Sequence, residues 1–239
     1  MFEIAAATAS PKMSTVSLQR GMPKMKDIMS VLPVPLVTSK VADRSMLHNI
    51  ITKEEMVSAD REVARHMTVL RYKMARALCF GHVVDAACDA GYGSWFISLN
   101  PDVTHVTGLD IDPGAIEAAA KIYGDSMAPV DFKHGDLNSD DPFRLVIGRV
   151  DVLVTAETLE HLQDPFAFLR KAEARGFRRI IATFPSFKTT HFNPHHLHDL
   201  QTPDIQARMA ESGWVTAAYH SLFGLCDFIA MDKESSPNP

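Results

Sequence analysis

Four short stretches of the chain gather residue types able to hold a nucleotide or assist a group transfer. The first is Asp85-Ala-Ala-Cys88-Asp89-Ala90-Gly91-Tyr92-Gly93-Ser94, set between the apolar pair Val83-Val84 and the helix-like Trp95-Phe96-Ile97. Glycines let a backbone approach a ligand closely, and a helix that starts just after them offers free amides. Asp110 lies nineteen residues after Gly91, where a carboxylate can accept both hydroxyls of a ribose. Further on, His134-Gly135-Asp136-Leu137 places a carboxylate and a leucine where they could read the amino group and the face of an adenine.

The third stretch is Glu157-Thr-Leu-Glu160-His161. If it is helical, its two carboxylates and its imidazole share one face. Glu157, Glu160 and His161 could then bind Mg²⁺ or another divalent cation, the oxygen-rich mixture suiting a hard ion. Without a metal, Glu157 would line a cofactor pocket, Glu160 would be exposed, and His161 would pack or cap. The fourth stretch, residues 191–199, reads HFNPHHLHD. His195, His196 and His198 could add a ligand or a general base, since an imidazole titrates close to neutrality. Candidate catalytic groups are therefore Glu157, His161, His195, His196 and His198.

The elements that must position these groups are legible as alternating patterns. Thr52-Lys-Glu-Glu55 has the form of a capping box, and Met56, Val63, Met67, Leu70, Met74 and Leu78 follow at near-helical spacing. This predicts one amphipathic helix over residues 53–79 whose methionine stripe packs into the core. From residue 81 the chain alternates. HVVDAA, THVTGLDI, PVDFKHGD, VDVLVTAE and RRIIATF read as strands. YGSWFISLN, PGAIEAAAKIYG, DPFAFLRKAEARG and TPDIQARMAES read as helices. Pro113 suits a first helical turn, while Gly176 and Gly213 suit helix ends. WVTAAYHSLF and CDFIAMD close the chain as a hairpin. The fold class is therefore α/β: a Rossmann-like, seven-stranded, mostly parallel sheet with helices on both faces and a C-terminal antiparallel hairpin strand at its edge.

Bulk properties set limits on partners. The chain has 239 residues and a formal net charge of −5, which gives no general pull toward nucleic acid or anionic lipid. Its one basic cluster, FLRKAEARGFRR at residues 168–179, reads as a solvated helix face and exit turn. The three cysteines, Cys79, Cys88 and Cys226, have neither disulfide nor zinc-knuckle spacing. The stretch IMSVLPVPLV is too short and proline-broken to span a bilayer, and no signal-peptide layout opens the chain. The expectation is a cytoplasmic, soluble protein. It would have a flexible N-terminal extension at residues 1–45, one domain over residues 46–232, and a disordered tail at residues 233–239.

Taken together, the motifs resemble the class I S-adenosylmethionine-dependent methyltransferases. The resemblance runs over roughly residues 65–230, on Arg71-Tyr72, VVDAACDAGYGS, VTGLDIDPGAIEAA, VDFKHGDL and VDVLVTAETLEHLQDP. It implies S-adenosyl-L-methionine as cofactor. Asp85, Ala87, Gly91 and Gly93 would surround its methionine end, Asp110 the ribose, and Ile111, Asp136 and Leu137 the adenine, with Glu157 also lining the pocket. The E-x-x-E-H arrangement is similar to the metal sites of small-RNA 2′-O-methyltransferases and of ubiquinone-pathway O-methyltransferases. The downstream histidine signature of the small-RNA enzymes is not reproduced. Asp89 stands where the family usually has glycine, which leaves a non-catalytic, cofactor-binding relative as an alternative. No Asn/Asp-Pro-Pro-Tyr/Phe segment and no Pro-Cys follows the fourth strand, against amino methylation of DNA bases and against cytosine C5 chemistry. The resulting expectation is O-methylation of a small-molecule acceptor, with RNA 2′-hydroxyls as the second choice.

Overall fold

The computed structural model describes residues 58–234, with side chains from residue 65. The first element is helix α1 (Ser58–Leu78). Residues 53–57 of the expected helix, the capping box at Thr52, the extension at 1–45 and residues 235–239 lie outside the described residues. Strand β1 (Gly81–Ala86), helix α2 (Tyr92–Ser98), strand β2 (Val103–Asp110), helix α3 (Pro113–Tyr123) and strand β3 (Val130–His134) follow. After a polar loop come β4 (Val152–Ala156), a single 3₁₀ turn (Leu159–His161), α4 (Pro165–Arg175), β5 (Arg179–Pro185) and α5 (Thr202–Ala210). The hairpin β6 (Trp214–Leu222) and β7 (Cys226–Lys233) ends the fold.

The seven strands form one sheet in the order β3-β2-β1-β4-β5-β7-β6, with β7 alone running against its neighbours. The antiparallel strand is therefore not the edge strand expected from the hairpin. β7 lies between β5 and β6, and β6 stands at the edge. Burial explains the insertion. Cys226 to Met231 are all buried, whereas β6 is exposed along most of its length. The apolar stretch Phe228–Met231 needs cover on both faces, so β7 takes the interior place. Lys233, assigned to the disordered tail by sequence, ends β7. Its amide donates to the carbonyl of Arg178, and its ammonium to Glu173 at 2.5 Å.

Alternate residues of each strand face opposite layers. Val84, Ala86, Leu109 and Leu153 pack with Phe143, Phe168, Leu169 and Ile205 on one face. Val83, Val106, Val154 and Phe228 pack with Met67, Tyr72, Ala75 and Ile97 on the other. Met67 is thus core, and Leu70 and Met74 pack against it, as the helical spacing predicts. The basic cluster is largely committed to the fold. Arg179 grips Asp232 through two bonds of 2.6 and 2.7 Å, Arg175 donates to the carbonyls of Val146 and Gly148, and Arg178 reaches Asp151. Among the described residues no helix is long and apolar enough to cross a membrane.

Phe143 is fully buried, with ring centroids 5.5 Å from Phe168 and 5.1 Å from Phe177. Deleting a buried aromatic ring removes its transfer free energy and leaves a cavity, so Phe143→Ala should cost about 3–5 kcal/mol of unfolding free energy. Urea denaturation measures this directly. A loss below about 1 kcal/mol would mean that the aromatic cluster does not hold the polar loop to the sheet.

Candidate functional site

Parallel pairing brings the chemistry-bearing residues to one edge. Asp85 sits opposite Gly108 in β2 and Val154 in β4, Asp110 opposite His134, and Ala156 opposite Thr183. The turns after β1, β2, β3, β4 and β5 therefore open at the carboxyl edge of the sheet, where ligands of open α/β folds bind. Side chains tie these turns together. His134 bonds the Ile111 carbonyl, Asn138 accepts from the Gln163 amide, and the Thr158 hydroxyl donates to the Ala86 carbonyl.

At the end of β1 the Asp85 carboxylate is fully buried. It accepts from the Ser94 hydroxyl at 2.7 Å and from the Tyr72 hydroxyl at 3.3 and 3.4 Å. Burial pushes its carboxyl up to about 7, opposed by these two bonds and reinforced by the nearby Asp110 charge. The turn that follows is strained in an alternating way, with left-handed backbone at Ala87 (φ 61°), Asp89 (φ 48°) and Gly91 (φ 80°). A left-handed Ala costs about 1–2 kcal/mol, and Asp is tolerated better there. The second glycine is required by packing, because a Cβ on Gly93 would meet the Tyr72 ring at 2.0 Å.

Asp89 is the residue out of pattern, and its backbone explains how it fits. Its amide donates to the Asp110 carboxylate at 2.8 Å, and the Asp112 amide donates to the other Asp110 oxygen at 2.9 Å. Asp110 is thus oriented by two amides, while the helix α3 cap is Asp112, which accepts from Gly114. Partial burial and the Asp110 charge push the Asp89 carboxyl up to about 7. The adenine candidates divide. Ile111 is 61% exposed, Leu137 is buried in the core, and Asp136 is exposed with one oxygen accepting from the Asn138 amide in a local turn.

The stretch from Glu157 to His161 departs most from expectation. Glu157 has a left-handed backbone (φ 53°), and only Leu159–His161 is helical, as one 3₁₀ turn. The three side chains therefore do not share a helix face. Glu157 instead accepts from the Thr183 hydroxyl and the Cys226 thiol, with Arg71 3.8 Å away. These partners lie far off in sequence, and no local signal announces them. Glu160, expected to be exposed if it holds no metal, is 1% exposed, and neither of its carboxylate oxygens has a hydrogen-bond partner among the described residues. Burial and the Glu157 charge push its carboxyl well up, opposed by its own amide and Arg71.

The histidine loop zips onto this turn. The Leu197 and His198 amides donate to the Glu160 carbonyl, and His161 Nδ1 lies 2.9 Å from the His195 carbonyl. His198 Nε2 is engaged by the carbonyls of Leu162 and Gln163, so this ring fixes the loop rather than facing a ligand as a base. His195 is exposed and contributes its carbonyl, while His196 sits edge-on to His161 with ring centroids 4.6 Å apart. Glu160, His161 and His196 form the one cluster among the described residues with metal-ligand spacing. Glu157 is not part of it. Cys88 is buried with its thiol pushed well up by burial, and burial also pushes Cys226 up to about 12. Both are poor nucleophiles at neutral pH.

With this geometry in hand, similarity to known proteins is informative. Residues 84–175 match a family model described as a methyltransferase domain. A probable S-adenosylmethionine-dependent methyltransferase of Mycobacterium tuberculosis is 26% identical over 167 residues, covering 66% of this chain and 57% of that protein. The chain thus spans little more than half the length of the curated relatives it matches. Magnesium protoporphyrin IX methyltransferase from Synechocystis PCC 6803, solved with bound SAH, superposes with a TM-score of 0.61 at 15% identity, over 80% of this chain and 94% of that one. A SAM-dependent methyltransferase from Aquifex aeolicus superposes with a TM-score of 0.54 at 14% identity, over 69% and 89%. At such identities these structures speak for the fold alone.

The two raised carboxyls have a measurable consequence. In the folded domain Asp85 and Asp89 titrate near 7, against 3.8 for an ordinary aspartate. Between about pH 4 and pH 7 the folded state therefore holds protons that the unfolded state has lost, so stability falls as pH rises through this window. The ligand-free protein should melt at a higher temperature near pH 5.5 than near pH 7.5, with a shallower slope in Asp89→Asn. Calorimetry of both proteins across that range is the test, and equal slopes would refute the assignment to Asp89.

Proposed function

We propose that this protein transfers a methyl group from S-adenosylmethionine to a hydroxyl of a small molecule. The observation that carries the reading is the strained, carboxylate-lined turn between β1 and α2, with Asp110 oriented beside it by two backbone amides. Strain of this kind persists only where surrounding structure enforces it, and it clusters at ligand sites. The methyltransferase-domain match and the fold support the same reading. Asp85, Ala87, Gly91 and Gly93 would surround the methionine end of the cofactor, Asp110 the ribose hydroxyls, and Ile111 one face of the adenine. The cofactor supplies an activated methyl group on a sulfonium, so the protein's share is alignment, which can contribute several kcal/mol.

Asp85, Asp89 and Asp110 bring three carboxylates to this turn, and no Lys or Arg ion pair is made to any of them among the described residues. A ligand carrying an ammonium and a sulfonium supplies the missing positive charge. Asp89 thereby supports binding rather than opposing it. For the acceptor, the loop after β5 presents Phe187 and Phe192, both exposed and stacked at 6.3 Å. An apolar or aromatic body would lie on them, with its hydroxyl toward the histidines.

Two experiments test this. Calorimetric titration with S-adenosylmethionine should give one site per chain, tighter at pH 8 than at pH 6 because the carboxylates must be charged. Asp110→Ala should weaken it at least about 10-fold, the order expected for losing a charge-assisted pair of hydrogen bonds. Absence of binding at millimolar ligand would remove the enzyme reading. Transfer of a labelled methyl group to a panel of phenols, aliphatic alcohols and short RNAs then identifies the acceptor. Label found only on RNA, or on nitrogen, would overturn the acceptor class.

A further inference from the structure

We infer that Phe223, at the tip of the β6–β7 hairpin, is a specificity residue of the acceptor site. It selects acceptors that carry the reacting hydroxyl on an extended aromatic body of two rings or more. This rests on the methyl transfer proposed above, and it adds both a residue outside the loop after β5 and a chemical class for the acceptor.

The backbone at the hairpin tip conflicts with its side chain. Phe223 and Gly224 are both left-handed, with φ of 58° and 68°, and the Leu225 amide closes the turn on the Leu222 carbonyl at 3.0 Å. Two successive positive φ values in a closed turn are the pattern of a type I′ turn, whose first central place usually holds Asn, Asp or Gly. For a bulky side chain such a backbone is a genuine outlier. Core packing does not compel it. Leu222 and Cys226 are buried on either side of the tip, whereas Phe223 is 51% exposed. A ring that strains its backbone and stays half in water adds little to the fold, and strain of this kind collects where ligands are held.

Strand pairing sets this ring at the ligand edge. β7 runs against β5 with Cys226 opposite Pro185, so the hairpin tip lies beside the loop that leaves β5. The Ser186 amide donates to the Leu225 carbonyl at 3.2 Å and joins the two loops. Next in the β5 loop comes Phe187, exposed and stacked on Phe192, with His191 edge-on to Phe192 at 4.8 Å. Directly behind the tip, the Cys226 thiol donates to Glu157 at the same edge. Two loops remote in sequence thus bring three exposed phenyl rings and the exposed Leu225 to one rim. Phenyl rings gain more from another aromatic face or edge than from area alone. The ring bearing the reacting hydroxyl must sit inward against the methyl group, so contact with the rim falls to a further ring.

Calorimetric titration of the full chain with phenol, 4-phenylphenol and 4-cyclohexylphenol, in the presence of S-adenosylhomocysteine, is the test. 4-Phenylphenol should bind at least about 10-fold more tightly than phenol, the order expected for burying one more ring, and more tightly than 4-cyclohexylphenol. Phe223→Asn should remove most of this gain, and Phe223→Tyr should keep it. The Asn variant should also melt a few degrees higher, because Asn accepts left-handed backbone more readily. No gain from the second ring, a gain that survives Phe223→Asn, or an equal gain for 4-cyclohexylphenol would each overturn the assignment. A lower melting temperature in Phe223→Asn would make the ring structural and overturn it too. Sedimentation velocity covers a different occupant, since a parent dimer that Phe223→Asn dissociates would make the rim a contact between copies. S-adenosylmethionine titrated into the same samples separates the two readings. Phe223-dependent binding of 4-phenylphenol without cofactor binding sustains the aromatic site and removes the proposed reaction. Cofactor binding and methyl transfer to a hydroxyl without dependence on Phe223 does the reverse.

Discussion

The rest of the site depends on one buried carboxylate. Asp85 lies near the end of β1, between β2 and β4, and its only side-chain partners among the described residues are two hydroxyls, from Tyr72 on α1 and Ser94 on α2. A buried carboxylate is costly, and the hydroxyls offset only part of that cost. The arrangement explains several neighbours at once. Tyr72 must lie against Gly93, which leaves no room for a Cβ, and Ser94 must fall in the first turn of α2. The chain is then forced through left-handed positions at Ala87, Asp89 and Gly91. Strain, desolvation and charge all concentrate in the few residues that face the ligand edge.

Charge organises the second layer of the site. Asp89 presents its amide to Asp110, which receives a further amide from Asp112, so the β1 and β2 turns are locked by one carboxylate. The same region carries three acidic groups, and among the described residues no Lys or Arg forms an ion pair with them. On the other side of β1, Glu157 is enclosed by Thr183, Cys226 and Arg71, contributed by β5, β7 and α1. The inserted position of β7 is what allows Cys226 to reach it.

Most of the architecture was legible in the residues. Strand and helix alternation, Pro113 and Pro165 at helix starts, and Gly176 in a left-handed helix exit follow from local rules that act within a few residues. The turn at Asp85–Ser94 and the position of Asp110 were readable for the same reason, because both are tied to strand ends. The spacing of Glu157, Glu160 and His161 fits a single helix face only if the stretch is helical. The left-handed backbone at Glu157, bonded through its amide to Thr183 of β5, ends that possibility.

The sequence by itself determined the fold class and the residues that gather at the carboxyl edge, since hydrophobic period and turn chemistry are local properties. Only the tertiary structure decided three other matters. It placed β7 inside the sheet, because its apolar stretch Phe228–Met231 needs cover on both faces. It buried the Glu160 carboxylate without a hydrogen-bond partner among the described residues and set His196 beside it, because the loop after β5 folds back onto the 3₁₀ turn. It also fixed the backbone in which Asp89 replaces a glycine, since whether a carboxylate helps or harms depends on neighbours twenty or more residues away. Contacts between distant segments arise from packing and burial, and no short motif encodes them.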